Sequence, residues 1–472
     1  MVKKVWIFVM VAVLFTACSK SPENSGGQGA VGDSGGTPNK AEESADGFDW
    51  KRYSGEEINV MLNQHPYAEA IVERLPEFEA KTGIKVKHSI TPEESYFDKL
   101  TTSLNAQNGN PDVFMTGSYQ IWEYAPAGYM QELDSFVNDS NKTSSDYDID
   151  DFFKGVIDAD RWDLQVGSKV GTGNLWAIPL GFEINTLHYN KRAFEEAGIT
   201  SPPKTFEELE EVAVKLNGWN GEGSYGLATR GTRSWATIHP GFMTAFSNHG
   251  AEDFAIEDGK LVAKMNSPEA VEITKKFAEI AKKAGPKDWA NYTWYQVSTD
   301  LGAGKAAMAF DADNFAFYNN KDGASQEAGN LAIAPPPVSK DGAEIGANMW
   351  VWSIAMNKSS KKQDAAWLFM QYFTSKEHMI WGATHANVVD PVRQSVWDDP
   401  GFKERIGAIE GYEETFSAII GNSSIKFTPQ PEFFNATTEW AAALQDIVNG
   451  ADAQERLDKL VKDINERVSR LR

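Results

Sequence analysis

Cysteine is almost absent from this chain: Cys18 is the only one in 472 residues. No intramolecular disulfide can form, and no cysteine-rich metal pattern exists. Basic residues are also short, with 45 Lys and Arg against 67 Asp and Glu and a formal net charge of −22. Binding phosphate needs a basic face, so nucleic acid and anionic membrane surfaces are poor partners for it. Past the first residues no apolar run is long enough to cross a bilayer. Nucleotide-cradling GxxxxGK[ST], zinc-binding HExxH and nucleophilic G-x-S-x-G are all missing. The seven histidines are scattered with no pair at i, i+4, so no zinc site is expected. Neither a metal, a cofactor nor a catalytic residue is assigned. Carboxylates are so numerous that a glycosidase pair could be picked anywhere, which makes any one pair uninformative. There is no internal repeat.

What is present begins at the N-terminus. Lys3 and Lys4 precede an apolar run at 5–15, which is too short to span a membrane and fits a secretory signal. Thr16, Ala17 and Cys18 follow at once. This arrangement resembles a bacterial lipobox, with Phe15 where leucine is usual, and implies a signal peptide over 1–17 and a diacylglycerol anchor on Cys18. An ordinary cleaved signal with a coincidental cysteine is the alternative. From 19 to about 47 the chain is Gly, Ser, Asn, Pro and acid with almost no apolar residue, so it cannot bury enough surface to fold. We expect a lipid-anchored flexible tether over 18–54. The remaining length suits two or three domains.

Residues 57–62 read as a strand, then an amphipathic helix to about 81, Gly83, and a second strand at 84–90. This β-α-β unit predicts a parallel sheet with helices on its faces. A helix at 96–104 leads through Asn110-Pro111 into a short buried strand at 112–115. The stretch 175–216 organises the middle of the chain. An extended segment there stops at Asn190, a helix N-cap; a short helix ends at Gly198; Pro202 and Pro203 reset the backbone; Thr205 and Glu208 form a capping box for a longer helix. Further on we expect a helix over 264–284, opened by Asn266 or Ser267 with Pro268 at its first position, a strand near 304–315, a helix over 359–377, and a closing amphipathic pair over 441–472 broken at Gly450.

The words IPLGFEINTLHYNK, AFEEAGI and PPKTFEELEEVAVKL, in this order and spacing, closely resemble extracellular solute-binding proteins of ATP-driven sugar importers. YFDKLTTSLNAQNGNPDVF, GKAAMAFDADNF and SSKKQDAAWLFMQYFTSKE match phrases of the same family, so the resemblance runs from about 55 to 468. It implies an α/β, periplasmic-binding-protein-like fold: two lobes with central sheets flanked by helices, joined by crossing hinge strands. Lobe one is placed at 55–182 plus 309–375, and lobe two at 183–308 plus 376–472. Residues 178–187 form the hinge candidate, and 304–315 stand where the family puts its second crossover. The implied function is a receptor that captures a carbohydrate, a neutral sugar or polyol, between the lobes and delivers it to permease subunits of an ABC importer. The implied protein is a monomer of the cell envelope, anchored to a bacterial membrane and facing the periplasm or exterior.

Fifteen tryptophans and fourteen tyrosines fit a sugar binder on physical grounds. A carbohydrate offers an apolar C–H face for stacking and a rim of hydroxyls for planar donors and acceptors. Aromatic and polar residues coincide at strand ends in several places: Asn63, Gln64 and His65 after the first strand; Ser118, Tyr119 and Trp122 after the third; Arg230, Arg233 and Trp235 in RGTRSWATIH; Asp311 and Asp313; and Asn348 with Trp350. At each the competing reading is a loop or strand end that satisfies its own backbone. Glu183 sits in the hinge strand. Arg393 stands where the family often carries a P-x-R element near the ligand, and could equally brace its loop through a salt bridge. The two arginines at 230 and 233 leave an acidic sugar, a uronate, as an alternative; a surface adhesin and an envelope glycosidase are more distant ones.

Overall fold

The computed structural model describes residues 47–471; Cys18, the signal and most of the tether expected over 18–54 lie outside the described residues. Among these, twelve strands run in chain order: β1 (Glu57–Asn63), β2 (Lys85–Thr91), β3 (Val113–Gly117), β4 (Arg161–Trp162), β5 (Asn174–Leu175), β6 (Ile178–Asn190), β7 (Tyr225–Ala228), β8 (Phe254–Glu257), β9 (Lys260–Ala263), β10 (Ala306–Ala312), β11 (Leu331–Ala334) and β12 (Met349–Met356). β4 pairs with β5 and β8 with β9 as small antiparallel ladders. The rest form one continuous path, β2-β1-β3-β12-β6-β10-β7, with β11 also on β6.

β1 is parallel to β2 and to β3, joined to them through helices, as the β-α-β reading requires. β3, β10 and β12 are buried along their whole length, which explains why they are mostly apolar and do not alternate. The organising strand is β6. Ile178–Ile184 pair with β12, whereas Asn185–Tyr189 pair with β10 and Leu187–Asn190 with β11. One strand thus belongs to two sheets, and it carries the chain from the first lobe to the second.

Helix starts follow their local chemistry. The Asn190 side chain accepts from Arg192 N and Ala193 N at 3.0 and 3.2 Å, and the Ser267 hydroxyl accepts from Ala270 N ahead of Pro268. Thr205 accepts from Glu208 N, but the Glu208 carboxylate reaches back to Lys204 N rather than to Thr205 N, so half of the expected capping box is displaced by one residue. The closing helices Phe433–Val448 and Ala453–Val468 break at Gly450, whose φ of 106° suits glycine. One expectation fails. The strand at 306–312 does not return to the first sheet: it is antiparallel to the end of β6 and parallel to β7. β11 joins the same sheet, so the return falls to β12, which pairs with both β3 and β6. Strand pairing accordingly groups 309–334 with the second sheet, not with the first.

Candidate functional site

A cavity of about 270 Å³ opens where the carboxyl ends of strands from both sheets converge on β6. Gln64, His65 and Pro66 follow β1, and Glu93 follows β2; Arg230, Trp235, Ala236 and His239 follow β7, and Asn314, Phe315 and Tyr318 follow β10. Glu183 of β6 and Trp350 and Trp352 of β12 form the floor, and Trp294, Ser298 and Asn387 complete the wall. Carboxyl ends of parallel strands are the usual place for a ligand in such sheets. A wider groove of about 940 Å³ passes Lys154, Asp158, Asn248, Glu344 and Lys426, with Phe153 its single aromatic side chain. The smaller cavity has the apolar walls and few convergent polar groups of a solute site.

Its aromatic wall is built by local rules. Trp350 and Trp352 are two residues apart on β12, hence on one face, and Trp350 stands opposite Glu183 in the ladder. Ser234 caps the helix Trp235–Ile238 through Ala236 N, so Trp235 and His239, one turn apart, share a face. The Trp235 and Trp350 rings lie 5.2 Å apart at 33°, Trp350 and Trp352 5.1 Å apart at 83°, and His65 is 5.2 Å from Trp352. Trp294 is 42 % exposed at the mouth.

The charges of Arg230, Glu183 and the two histidines in the cavity are cancelled or suppressed. Among the described residues Arg230 is the only arginine or lysine in the wall, and it is spent on Asp311: Nε donates to Oδ2 at 2.9 Å and Nη2 to Oδ1 at 2.6 Å. β7 and β10 are neighbours, which places the two residues side by side. Arg230 Nη1 also donates to Ala236 O and meets His239 Nε2 at 3.2 Å. Burial, opposed by Arg230 and reinforced by Asp311, pushes the Glu183 carboxyl up to about 8. Burial holds His65 down at about 3, and burial with the Arg230 charge holds His239 low, so both rings are neutral. His65 Nδ1 accepts from Tyr67 N, leaving Nε2 to carry the proton toward Glu183 Oε1, 3.9 Å away. Side by side are a neutral N–H donor and a carboxyl able to donate and accept.

Of the residues singled out in the sequence, Gln64, His65, Glu183, Arg230, Trp235 and Trp350 line the cavity. Asp311 touches it through Arg230. The others lie elsewhere. Asn63 is buried at the end of β1. The helix Ser118–Tyr124 starts directly after β3 and turns its side chains inward: Ser118 donates to Asp160, Tyr119 donates to Met349 O, and Trp122 packs on Phe433. Asn348 joins Tyr119, His239 O and Lys426 N behind the tryptophans. Arg233 reaches away to Gln445 and Asp446. Asp313 lies behind the floor, accepting from Ile184 N. Arg393 is wholly buried and donates to Thr374 O, Tyr147 O and Asp148 O beside Asp151, the bonds of a loop brace, and it does not line the cavity. Glu93, Ala236, His239, Ser298, Asn314, Phe315, Tyr318 and Asn387 were not singled out. Position after β10 could have marked Asn314 and Phe315, and helical spacing from Trp235 could have marked His239. Nothing local marks Asn387. Among the described residues no group of three His, Cys, Asp or Glu side chains could hold a metal ion.

Comparison with known proteins agrees with this architecture. The family model described as bacterial extracellular solute-binding protein matches residues 63–380. The chain is 44 % identical over 439 residues to the erythritol/L-threitol-binding protein of Mycolicibacterium smegmatis, covering 93 % of this chain and 91 % of that one. Among solved structures, an ABC transporter solute-binding protein of Agrobacterium radiobacter in complex with ribitol superposes with a TM-score of 0.74 at 22 % identity, covering 88 % of this chain and 99 % of the other. One from Agrobacterium vitis with bound D-mannitol gives 0.71 at 23 % identity, with 87 % and 98 % covered. A chain whose two sheets share one strand, whose aromatic cavity sits at that crossing, and two thirds of which matches the family model belongs to the bacterial extracellular solute-binding proteins.

Proposed function

We propose that this chain is the solute receptor of an ABC importer and that its solute is a small uncharged polyol or neutral monosaccharide. The observation that carries this reading is the Arg230–Asp311 ion pair: among the described residues the one permanent cation in a tryptophan-walled cavity is already neutralised. An anionic sugar would need a free guanidinium, and Arg233 is committed to Gln445 and Asp446. A cavity of about 270 Å³ lies just under the roughly 300 Å³ at which drug-sized sites begin, which favours a solute of monosaccharide size or less. The 44 % identical relative named for erythritol and L-threitol points the same way.

The receptor works by population shift. Groups from both lobes surround the solute, so a solute that binds the closed arrangement better draws the protein into it, and the closed form docks on the permease. No bond is made or broken, and the solute is delivered unchanged. Diacylglycerol on Cys18 and the tether to about residue 54 keep a monomeric receptor at the membrane outside the cytoplasm.

The test is thermal unfolding of protein beginning after Gly47 against erythritol, threitol, ribitol, mannitol, hexoses, disaccharides and uronates. A solute at a hundredfold excess over its Kd stabilises the folded state by about 2.7 kcal/mol, several degrees in midpoint. We expect shifts with alditols or neutral monosaccharides. Shifts confined to uronates or disaccharides, or a solute recovered chemically altered, would overturn the reading.

A further inference from the structure

A buried amide of the cavity wall finds no hydrogen-bond partner among the described residues. Asn314 opens the helix Asn314–Asn319 directly after β10 and lines the cavity, yet it is only 4 % exposed. Asp313 N donates to Ile184 O at 2.9 Å, which ties the backbone just before Asn314 to the residue just after Glu183. Asn314 Oδ1 is sealed from solvent and accepts from nothing, and among the described residues no group accepts from Nδ2, the end of the amide left open to the cavity. Polar neighbours in the wall are engaged. Arg230 is bound to Asp311, the Tyr318 hydroxyl donates to Asn387 O at 3.3 Å, Asn387 Oδ1 accepts from Lys321 Nζ, and Ser298 Oγ accepts from Asn319 Nδ2 at 2.9 Å.

Along the same helix the contrast is direct. Asn319 Nδ2 donates to Phe315 O at 3.0 Å as well, and Asn320, at the helix end, donates from Nδ2 to Leu331 O at 2.7 Å and accepts at Oδ1 from Leu331 N at 3.1 Å. Those two amides hold the fold together. A buried amide without partners instead costs stability, and a chain keeps one where something from outside completes it. We infer that Asn314 is a specificity-determining residue of the solute site: the chain leaves its amide unpartnered so that a hydroxyl of the bound solute supplies the hydrogen bond. Lys321 fixes which end of the Asn387 amide is free, whereas turning the Asn314 amide end for end breaks no bond. The wall therefore presents a donor or an acceptor as the hydroxyl requires. This role of Asn314 rests on the polyol reading of the cavity.

Leucine keeps the branching of asparagine without its polar ends, and alanine removes the amide altogether. The ligand-free midpoint would be measured for wild type, Asn314→Leu and Asn314→Ala, together with the Kd of erythritol and of its two analogues with one hydroxyl fewer, butane-1,2,4-triol and butane-1,2,3-triol. Because no bond of the fold is lost, ligand-free Asn314→Leu should unfold at or above the wild-type midpoint. Its Kd for erythritol should nevertheless rise about tenfold, as should that of Asn314→Ala. A site built to pair a hydroxyl rejects the analogue that lacks it, since its own polar group is then left bare. The preference of wild type for erythritol over at least one triol should accordingly shrink about tenfold in both variants. Affinity and stability moving in opposite directions mark a group kept for the solute rather than for the fold. Midpoints lowered in both variants overturn the inference, and so does an unchanged erythritol Kd. Unchanged preferences over both triols overturn the specificity role. Wild type alone decides the underlying reading: should it bind neither erythritol nor any other neutral solute of the panel, the polyol reading fails, and the role of Asn314 falls with it whatever the midpoints do.

Discussion

Trp350 is seated directly over Gly117: a Cβ built on that glycine would stand 2.1 Å from the indole ring. The two residues lie on adjacent strands, β12 and β3, and the missing side chain of one is the space for the other. Gly117→Ala should therefore push Trp350 into the cavity. The expected cost is about 1–3 kcal/mol of stability, as for other overpacked sites, with polyol affinity lost alongside it. Calorimetry and ligand titration on the same sample check both.

Asp311→Asn leaves the Arg230 guanidinium buried with half its partner gone. Breaking a buried pair in this way costs about 3–5 kcal/mol, read as a lower unfolding midpoint. In the folded fraction, affinity should move from polyols toward sugar acids. A variant that unfolds at the wild-type temperature would contradict the role given to this pair.

Glu183 titrates far from its ordinary range, raised from 4.5 to about 8 by burial. Its folded state holds a proton the unfolded chain releases, so its contribution is present below about pH 4.5 and lost as pH rises to about 8. Glu183→Gln should lack this decline. Midpoints of the two proteins across the window give the answer, and wild-type polyol affinity should fall above about pH 8 as the carboxyl loses its donor.

Trp235→Ala and Trp122→Ala should separate cleanly. Trp235 lines the cavity, and its loss should remove about 1.5–3 kcal/mol of apolar contact with the solute, roughly a tenfold to hundredfold rise in Kd, with little change in midpoint. Trp122, 1 % exposed against Tyr119 and Phe433, should cost about 3–5 kcal/mol of stability while folded protein still binds.

Arg393→Lys should destabilise nearly as much as Arg393→Ala, because a point charge cannot reach three carbonyl oxygens from one planar fork. Polyol affinity measured well below the midpoint should stay near wild type. A selective loss of binding would return Arg393 to the site.

Much of the fold is legible in local chemistry. Asn190 and Ser267 announce helix starts, and the mostly apolar run of β3 announces a buried strand, whereas β12 went unread as one. What local pattern cannot supply is a partner: the residues of β10 spell a strand, but only pairing with β7 and the end of β6 decides which sheet receives it. The same limit governs the site. Polar residues beside an aromatic at a strand end identified His65 and Trp235, where a loop or cap turns the side chains outward. The rule misplaced Tyr119 and Trp122, because a helix begins at once after β3 and buries them against Phe433. Asn387 reaches the wall through a loop held by Tyr318 and Lys321, contacts that no neighbouring residue in sequence implies.

β6 acts as a ruler. Its thirteen residues rise about 3.3 Å each, and both ladders are pinned to it, the one with β12 through a single register shift between Trp352 and Ser353. Inserting one residue next to Glu183 would turn every later side chain of the strand to the opposite face of the second sheet, so the span between the two walls is not free to grow in small steps. Binding proteins of this design can meet larger solutes only by reshaping what hangs from the strand ends. Here those are the segments after β1, β7 and β10, where an insertion moves one wall and leaves the gauge untouched.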